Sequence, residues 1–193
     1  MAQNKLLEDF RKLQILYDSG VDFIAFDTET TGLSSTSDRV IEIGAIKFNN
    51  SNKVEKFETL INPQKKLSTE CTQINNITNE MLVNAPLAEE AISNFVKFIN
   101  DGILIAHNAN FDINFINAEL NRLNLKPLKN KAIDTLNFCR WAYPLLGKYN
   151  LQLLAKLMDI EVNQAHRAFD DARVCKEVFL RTLSDTKSVQ LKS

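Results

Sequence analysis

The sequence has no excess of positive charge. Lysine and arginine together number 23, aspartate and glutamate number 24, and the formal net charge is −1. A chain with this balance has no overall positive field, which argues against a protein that tracks along duplex nucleic acid by bulk attraction. It leaves room for a pocket in which metal ions hold a few phosphates.

The sequence also has few cysteines and no long apolar run. Cys71, Cys139 and Cys175 are isolated and odd in number, a pattern typical of buried thiols in a reducing compartment. The first nine residues carry acids where a signal peptide would be apolar, and no run approaches the roughly 18 apolar residues of a membrane span. We therefore expect a cytoplasmic protein with no membrane partner.

Length and composition are those of one globular domain. The chain has 193 residues, of which 45% are hydrophobic and 24% charged, so a core can form without disulfides. The predicted division is an N-terminal helix packed on the domain in residues 1–20, the main domain in residues 21–184 and a polar tail in residues 185–193. The first helix is predicted from apolar residues at helical spacing, namely Leu6, Phe10, Leu13 and Tyr17.

Two acids follow an apolar run at the start of the main domain. Residues 21–26 predict a buried strand, and Asp27 and Glu29 stand at its exit, before the turn signal at residues 30–32. Side chains two apart on a strand share a face, so these carboxylates project together while Thr28 points away. A hard divalent cation would relieve their repulsion, and Mg²⁺ and Mn²⁺ prefer such oxygens. The alternative is that Asp-x-Glu is merely a common tripeptide at strand ends.

The pattern of strands and helices predicts the order of a sheet. Residues 40–48 and 54–61 flank a polar turn and predict a hairpin, so the first three strands are expected to be antiparallel. A helix is opened by residues 84–86, and its apolar face is predicted at Ala88, Ala91, Ile92, Phe95 and Ile99. It leads to a short buried strand at residues 103–106, which suggests a parallel crossover. A last short strand is predicted at residues 132–135.

Three further acids need separate interpretations. Asp112 and Phe115 lie on the inward face of a predicted helix. Asp112 is either a metal ligand or a carboxylate that is stabilised near the helix start by the helix dipole. Glu42 lies inside an apolar strand, where we expect backbone groups or an arginine to bind it, so it is left out of the ligand set. At the start of the last helix, Asp171 lies beside the apolar face of the helix and is predicted to point inward. Asp170 lies on the mostly polar face and is predicted to point toward water.

The sequence has only two histidines. His107 lies beside the end of a buried strand, which is typical of a structural role. His166 comes shortly before the inward-facing Asp171 and is the better candidate for a base.

Three segments together resemble a known enzyme family. They read FDTETTGL from Phe26, HNANFDINF from His107 and HRAFDDAR from His166. In this order they resemble the DEDDh-type 3′-to-5′ exonucleases, which include the proofreading exonuclease domains and subunits of bacterial DNA polymerases. The resemblance covers nearly the whole chain, from about residue 21 to residue 183.

This resemblance implies a fold, a site and a reaction. The fold is a ribonuclease H-like α/β fold, with a mixed five-stranded sheet whose first three strands are antiparallel and helices on both faces. Two divalent metal ions, Mg²⁺ or Mn²⁺, would lie at the terminal phosphodiester, and hydrolysis would release a nucleoside 5′-monophosphate. The implied metal ligands are Asp27, Glu29, Asp112 and Asp171, with His166 as the general base. By family position, Thr30 and Leu33 would hold the terminal nucleotide, and Phe111 would line the same pocket or pack in the core.

One segment departs from the family pattern, and other functions stay open. Many members have His-Gly before Ile-Thr, whereas this chain has Asn75 and Asn76 there. The expected substrate is a single-stranded 3′ end, of DNA first and of RNA as an alternative, and a DNA polymerase is a further candidate partner. The alternative functions are an RNA-trimming exoribonuclease, a noncatalytic nucleic-acid-binding or polymerase-docking module, and a ribonuclease H-like endonuclease.

Overall fold

The computed structural model describes residues 6–51 and 53–190, with side chains described through residue 187. Within these residues, the strands are β1 (Phe23–Thr30), β2 (Val40–Phe48), β3 (Val54–Leu60), β4 (Ile103–Ala106) and β5 (Ala132–Asp134). The α-helices are α1 (Leu13–Asp18), α2 (Thr69–Asn75), α3 (Asn79–Leu82), α4 (Ala88–Ile99), α5 (Ala109–Arg122), α6 (Thr135–Ala142), α7 (Leu151–Leu157) and α8 (Ala168–Gln190).

The five strands form one mixed sheet in the order β3-β2-β1-β4-β5. β1 and β3 both pair with β2 in antiparallel orientation, whereas β4 pairs in parallel with β1 and with β5. The predicted α/β sheet, with its first three strands antiparallel, is confirmed. β1 lies at the centre, which places Asp27 and Glu29 in the middle of the sheet.

Side chains of β1 alternate between two apolar cores on opposite faces of the sheet. Ile24 and Phe26 join the core covered by α4 and α5. Phe23 and Ala25 join the core covered by α1, α6, α7 and α8. All four side chains are fully buried, and full burial of a phenylalanine contributes about 1.5–3 kcal/mol. Packing against helices on both faces of the sheet therefore holds β1 in place.

The N-terminal segment is less helical than its apolar spacing predicts. A short 3-10 turn at Phe10–Lys12 leads into α1, which begins only at Leu13. Leu6 instead forms a parallel β-bridge with Ala132, and the amide of Leu7 donates to the carbonyl of Ala132 at 2.8 Å. The predicted N-terminal helix is therefore wrong over residues 6–9, because the open edge of β5 binds this backbone. Residues 1–5 lie outside the described residues.

Two short helices occupy the stretch after residue 63, where the sequence pattern predicts little. Ser68 caps α2 by accepting from the amide of Cys71 at 3.2 Å, and Thr78 caps α3 by accepting from Met81 at 3.4 Å. A small apolar cluster holds these helices against Ile41 of β2. Each helix is too short to show a periodic apolar face, so only the capping residues signal it.

Helix α4 begins later than predicted. Its apolar face is the expected one, but its first residue is Ala88 and Asn84 does not cap it. Asn62 donates its amide to the carbonyl of Pro86 at 2.9 Å and forms a bridge with Leu87. This pairing keeps residues 86 and 87 extended, so the helix starts after them.

The last helix is longer than predicted. α8 continues through Gln190, so most of the predicted polar tail in residues 185–193 is helical. No helix among the described residues has the length and apolar character needed to cross a membrane.

Candidate active site

Asp27 and Glu29 lie within β1 rather than beyond its end. Their side chains share the face on which α8 packs, as their spacing predicts, and Asp27 pairs across the strands with Gly44 of β2. Glu29 pairs with Glu42 of the same neighbouring strand, just before a bulge between Glu29 and Thr30. The bulge ends the regular ladder at the point where the carboxylates project.

Gly44 allows α8 to approach these carboxylates. A Cβ atom at this position would lie 2.2 Å from the backbone nitrogen of Phe169 and 2.3 Å from the carbonyl carbon of Ala168. Since both are backbone atoms, no side-chain rotation could relieve the clash. Glycine in the middle of β2 therefore lets the first turn of α8 lie directly against the sheet beside Asp27.

Asp171, in that first turn, completes a group of three carboxylates. Ligand oxygens of Asp27, Glu29 and Asp171 all lie within 4.8 Å of one another. The Oδ2 atom of Asp171 accepts a hydrogen bond from the backbone amide of His166 at 3.0 Å. Its Oδ1 atom is buried and has no hydrogen-bond partner among the described residues.

This donor set fits a hard divalent cation. Three carboxylates supply only oxygen ligands, which Mg²⁺ and Mn²⁺ prefer. A buried carboxylate oxygen without a partner is costly, and a cation would remove that cost. Asp27, Glu29 and Asp171 could therefore hold one.

Asp112 lies beside this group, on the other side of β1. It is 3% exposed, and its Oδ1 atom accepts from both the amide of Thr28 at 2.9 Å and the Thr28 hydroxyl at 2.7 Å. Thr28 points away from the Asp27 face, as predicted, and thereby meets helix α5. Asp112 is outside the group of three carboxylates in the described residues, although its negative charge acts on Asp27.

Burial and mutual repulsion raise the pKa values of these acids. Burial, with the charges of Asp171 and Glu42, raises the pKa of Glu29 to about 8. Burial raises the pKa of Asp112 to about 7, against the lowering effect of its Thr28 hydrogen bonds. The pKa of Asp27 is well above its usual range because of burial and the charge of Asp112. Burial also raises the pKa of Asp171. Such a site retains protons unless a cation replaces them.

His166 lies in the turn before α8 rather than in the helix. Its backbone is left-handed, with φ of 61°, and its side chain is exposed. The hydrogen bond from its amide to Asp171 places it at the edge of the carboxylate group.

His107 belongs to the scaffold, as expected. Its Nδ1 atom lies 2.9 Å from the hydroxyl of Thr135 and its Nε2 atom 2.7 Å from the carbonyl of Tyr149. Because a carbonyl only accepts, Nε2 carries the proton. Both ring nitrogens of His107 are hydrogen-bonded, whereas the side chain of His166 is exposed.

The prediction that Asp170 faces water is wrong. Asp170 is buried, and its Oδ2 atom accepts from the amides of Asn163 at 2.7 Å and Gln164 at 2.8 Å. Its Oδ1 atom binds Nε of Arg173 at 2.8 Å. The turn before α8 folds back over this face of the helix. The face carries polar residues, as the helical spacing predicts, but the turn covers it, so Asp170 is not exposed to water.

Glu42 is bound as expected for a structural acid. Its carboxylate accepts from the guanidinium of Arg167, with the shortest distance 2.6 Å to Nη2, and from the amide of Ala168 at 2.9 Å. It is 1% exposed. Glu42 therefore belongs to the support of the site.

The three predicted substrate contacts are found in different environments. Leu33 is 87% exposed in the loop after β1, and Thr30 is half-buried with its hydroxyl donating to the carbonyl of Gly32 at 2.6 Å. Phe111 packs on Phe115 at 4.8 Å between ring centroids and is half-buried against the α4–α5 core. Leu33 is the most open of the three to a ligand.

Sequence reasoning missed a residue that contacts Glu29. The buried side chain of Asn75 lies close enough to Glu29 to lower the pKa of its carboxyl group, while its Nδ2 atom donates to Sγ of Cys71 at 3.6 Å. The Asn75 Oδ1 atom accepts from the amide of Ile77 at 3.0 Å, while Asn76 adopts the left-handed φ of 58° that ends α2. Asparagine tolerates this conformation better than other non-glycine residues. Asn76 can therefore form the turn that ends α2 although it is not a glycine. The departure from His-Gly at residues 75 and 76 was the signal in the sequence that could have pointed to Asn75.

Comparison with known proteins identifies the family. A family model described as exonuclease matches residues 24–179. The DNA polymerase III subunit epsilon of Treponema pallidum (strain Nichols) is 48% identical over 161 residues, which cover 82% of this chain and 75% of that protein. The PolC-type DNA polymerase III of Caldanaerobacter subterraneus subsp. tengcongensis is 40% identical over 172 residues, which cover 89% of this chain and 12% of that protein.

Solved structures share the fold. Exonuclease X in complex with 5′ overhanging duplex DNA has a TM-score of 0.69 at 23% identity, covering 84% of this chain and 91% of that one. Exonuclease I of E. coli, in complex with a dA16 oligonucleotide, has a TM-score of 0.75 at 19% identity, covering 89% of this chain and 42% of that one. At these identities the likeness establishes the ribonuclease H-like fold.

Proposed function

Because this chain belongs to the exonuclease family and is a 3′-to-5′ exonuclease, we propose that it removes nucleoside 5′-monophosphates from single-stranded DNA by metal-dependent hydrolysis. The observation that carries the mechanism is the group formed by Asp27, Glu29 and Asp171, whose ligand oxygens lie within 4.8 Å of one another. The buried, unpartnered Oδ1 atom of Asp171 supports it further.

In this proposal, Asp27, Glu29, Asp112 and Asp171 hold two divalent cations, Mg²⁺ or Mn²⁺. When bound, the cations offset the charge of the phosphodiester and make a water more acidic. A bound cation would favour the ionised forms of the four carboxyl groups, whose pKa values burial raises, since each would then have a positive neighbour.

His166 acts as the general base. Its imidazole accepts the proton of the attacking water as the water oxygen bonds to phosphorus and the bond to the 3′ oxygen breaks. The 3′ oxygen leaves with a proton from solvent, and the nucleoside 5′-monophosphate departs. Exposure of His166 allows the proton to pass to solvent afterwards.

Thr30, Leu33 and Phe111 are the proposed contacts to the terminal nucleotide. An exposed Leu33 can pack against a base without reading its hydrogen-bonding edge. Such contacts tolerate any base, which suits an enzyme that shortens ends of arbitrary sequence.

DNA is the proposed substrate and a DNA polymerase the proposed partner. Both proposals rest on the 48% identical relative, which is named as a subunit of DNA polymerase III. Work at a replication site also agrees with the cytoplasmic location expected from the sequence. An RNA-trimming exoribonuclease remains the alternative, because the site offers the same ligands to either sugar.

The test is digestion of 5′-labelled single-stranded DNA and RNA of matched sequence, with Mg²⁺ or with EDTA. We expect a ladder that shortens from the 3′ end of DNA with Mg²⁺, no cleavage in EDTA and no cleavage by Asp27→Ala. Glu90→Gln is the matched control, since Glu90 is an exposed acid on α4, across the sheet from the carboxylates. Faster cleavage of RNA would favour the alternative. Cleavage of closed circular DNA would instead indicate an endonuclease.

Association with a polymerase needs a separate test. We expect the chain to comigrate with a DNA polymerase III catalytic subunit in size-exclusion chromatography. Separate elution at micromolar concentrations would contradict the partner proposal without affecting the nuclease activity.

A further inference from the structure

A buried ion pair ties strand β2 to the turn that carries His166. The Glu42 side chain is 1% exposed, and the Arg167 side chain is 24% exposed. Nη2 of Arg167 lies 2.6 Å from Oε1, and Nε lies 3.2 Å from both carboxylate oxygens. The amide of Ala168 donates to Oε2 at 2.9 Å. One carboxylate therefore binds two consecutive residues.

These two residues directly follow His166. His166 has a left-handed backbone with φ of 61°, a conformation that is unfavourable for a residue with a Cβ atom and must be held by its surroundings. Its own amide is bound by Asp171 at 3.0 Å. The turn is thus fixed by Asp171 at His166 itself and by Glu42 just after it.

The position of Glu42 gives this pair a second effect. Glu42 lies directly across from Glu29 in the sheet. Its negative charge raises the pKa values of Asp27, Glu29 and Asp171. The guanidinium of Arg167, 2.6 Å from Glu42 at its shortest contact, offsets that charge at short range.

We propose that Arg167 is a positioning residue, which acts through its ion pair with Glu42 to orient the imidazole of His166 toward the carboxylate group. This inference rests on the proposed function, in which His166 is the general base. Arg167 itself need not touch the substrate. A planar guanidinium suits this role, because it binds the two carboxylate oxygens in one geometry.

A purely structural pair would also stabilise the start of α8, so stability alone cannot distinguish the two roles. The chain offers a second ion pair with a buried glutamate for comparison. Arg39 binds Glu119 with Nε 2.8 Å from Oε1, with side-chain exposures of 23% and 1%, and Glu119 also accepts from the backbone amide of Val40. Unlike Glu42, Glu119 has a second cation, since Nη1 of Arg122 lies 3.0 Å from its Oε1 atom. Among the described contacts, this pair touches neither His166 nor the three carboxylates, so Arg39→Gln reports the effect of losing an arginine–glutamate pair elsewhere in the fold.

The experiment compares wild type, Arg167→Gln, Arg167→Lys, Arg39→Gln and His166→Ala. Melting temperature, kcat and KM are measured on single-stranded DNA at saturating Mg²⁺. NMR spectra of the imidazole groups are recorded in EDTA, so that one readout does not depend on activity. The chain has only two histidines. His107, with both ring nitrogens bonded, serves as the internal reference.

We expect Arg167→Gln to lower kcat by about tenfold to a hundredfold, because a misplaced catalytic group costs that much, with little change in KM. The His166 resonance should shift or broaden while that of His107 stays in place. Arg167→Lys keeps the positive charge but loses the planar guanidinium that binds both carboxylate oxygens. Its kcat should therefore lie between those of the wild type and Arg167→Gln. Arg39→Gln should lose less stability, because Glu119 keeps its ion pair with Arg122, and it should keep kcat within about twofold.

The inference is overturned if Arg167→Gln keeps the wild-type kcat and His166 resonance, or if Arg39→Gln lowers kcat as much. Should Arg167→Gln fail to fold, Arg167→Lys takes its place in the comparison with wild type and Arg39→Gln, because a lysine can still form an ion pair with Glu42. His166→Ala separates the two proposals. If it keeps the wild-type kcat, the proposed general base is wrong. If it loses activity and Arg167→Gln does not, only the positioning role is wrong.

Discussion

The backbone amide of His166 binds the side chain of Asp171 at 3.0 Å. The proposed base and a proposed metal ligand, five residues apart in the sequence, are therefore linked by a hydrogen bond from the backbone of one to the side chain of the other. The hydrogen bond uses Oδ2 of Asp171 and leaves Oδ1 buried without a partner in the described part of the chain. The spacing between this histidine and this aspartate thus has a structural reason, because a turn of that length lets the aspartate bind back to the histidine backbone.

The first prediction distinguishes the two adjacent aspartates of α8. Asp171→Asn should abolish cleavage and weaken Mn²⁺ binding, because it removes one negative ligand. Asp170→Asn should keep the activity of the folded protein but lower its stability by about 1–3 kcal/mol, since Asp170 binds two amides and Arg173. Urea unfolding, DNA digestion and Mn²⁺ titration of both variants provide the check. Loss of activity in Asp170→Asn alone would reverse the assignment.

The second prediction concerns the support of Asp112. Thr28→Val removes the hydroxyl bound to Asp112 and keeps the shape of the side chain and the backbone hydrogen bond. We expect the pKa of Asp112 to rise further and the protein to lose about 1 kcal/mol of stability. The activity should then require a higher pH, since Asp112 must be ionised to hold a cation. Thr59→Val is the control, because the Thr59 hydroxyl donates to the carbonyl of Leu60 at 2.9 Å and not to a carboxylate of the group within the described part of the chain. An unchanged pH profile of Thr28→Val would contradict the prediction.

The third prediction concerns the effect of pH on stability without metal. Burial raises the pKa of Glu29 to about 8 and that of Asp112 to about 7, against about 4.3 and 3.9 for unfolded acids. Between these values the folded state binds more protons than the unfolded state, so stability falls as the pH rises from about 4 to 8.

Melting curves in EDTA and in Mg²⁺ test this sign. The melting temperature in EDTA should fall over this range, and the increase caused by Mg²⁺ should be larger at the upper end, since the cation binds the ionised acids. Glu29→Gln should weaken the pH dependence, whereas Glu90→Gln should keep it. A melting temperature in EDTA that rises with pH in wild type but not in Glu29→Gln would contradict the assignment.

The fourth prediction concerns Gly44. Gly44→Ala places a methyl group 2.2 Å from the backbone nitrogen of Phe169, so α8 must move away from β2. We expect a loss of about 1–3 kcal/mol or more of stability, together with loss of activity, because Asp171 moves with the helix. Gly147→Ala is the matched control, since, apart from its two chain neighbours, no described residue has a heavy atom within 4 Å of the added Cβ. Equal stability and activity of the two variants would show that α8 does not need this close approach.

Much of the fold follows from local patterns in the sequence. The limits of β2 and β4 agree with the prediction because each strand is a dense β-branched or apolar run bounded by turn residues. The apolar face of α4 was predicted because it repeats over three turns. The helices α2 and α3 were missed because they have only one or two turns, too few for a period to show.

The sequence by itself determined that the first three strands are antiparallel and that the side chains of Asp27 and Glu29 lie on one face of the sheet. It also determined which residues are candidates for the site, because these depend on alternation along a strand and on short motifs. Only the tertiary structure decided that Asp170 is buried, that residues 6–9 pair with β5 and that Glu42 binds Arg167, a residue 125 positions away. The physical reason is that periodicity reports the local backbone, whereas burial of a polar group depends on which distant segment covers it.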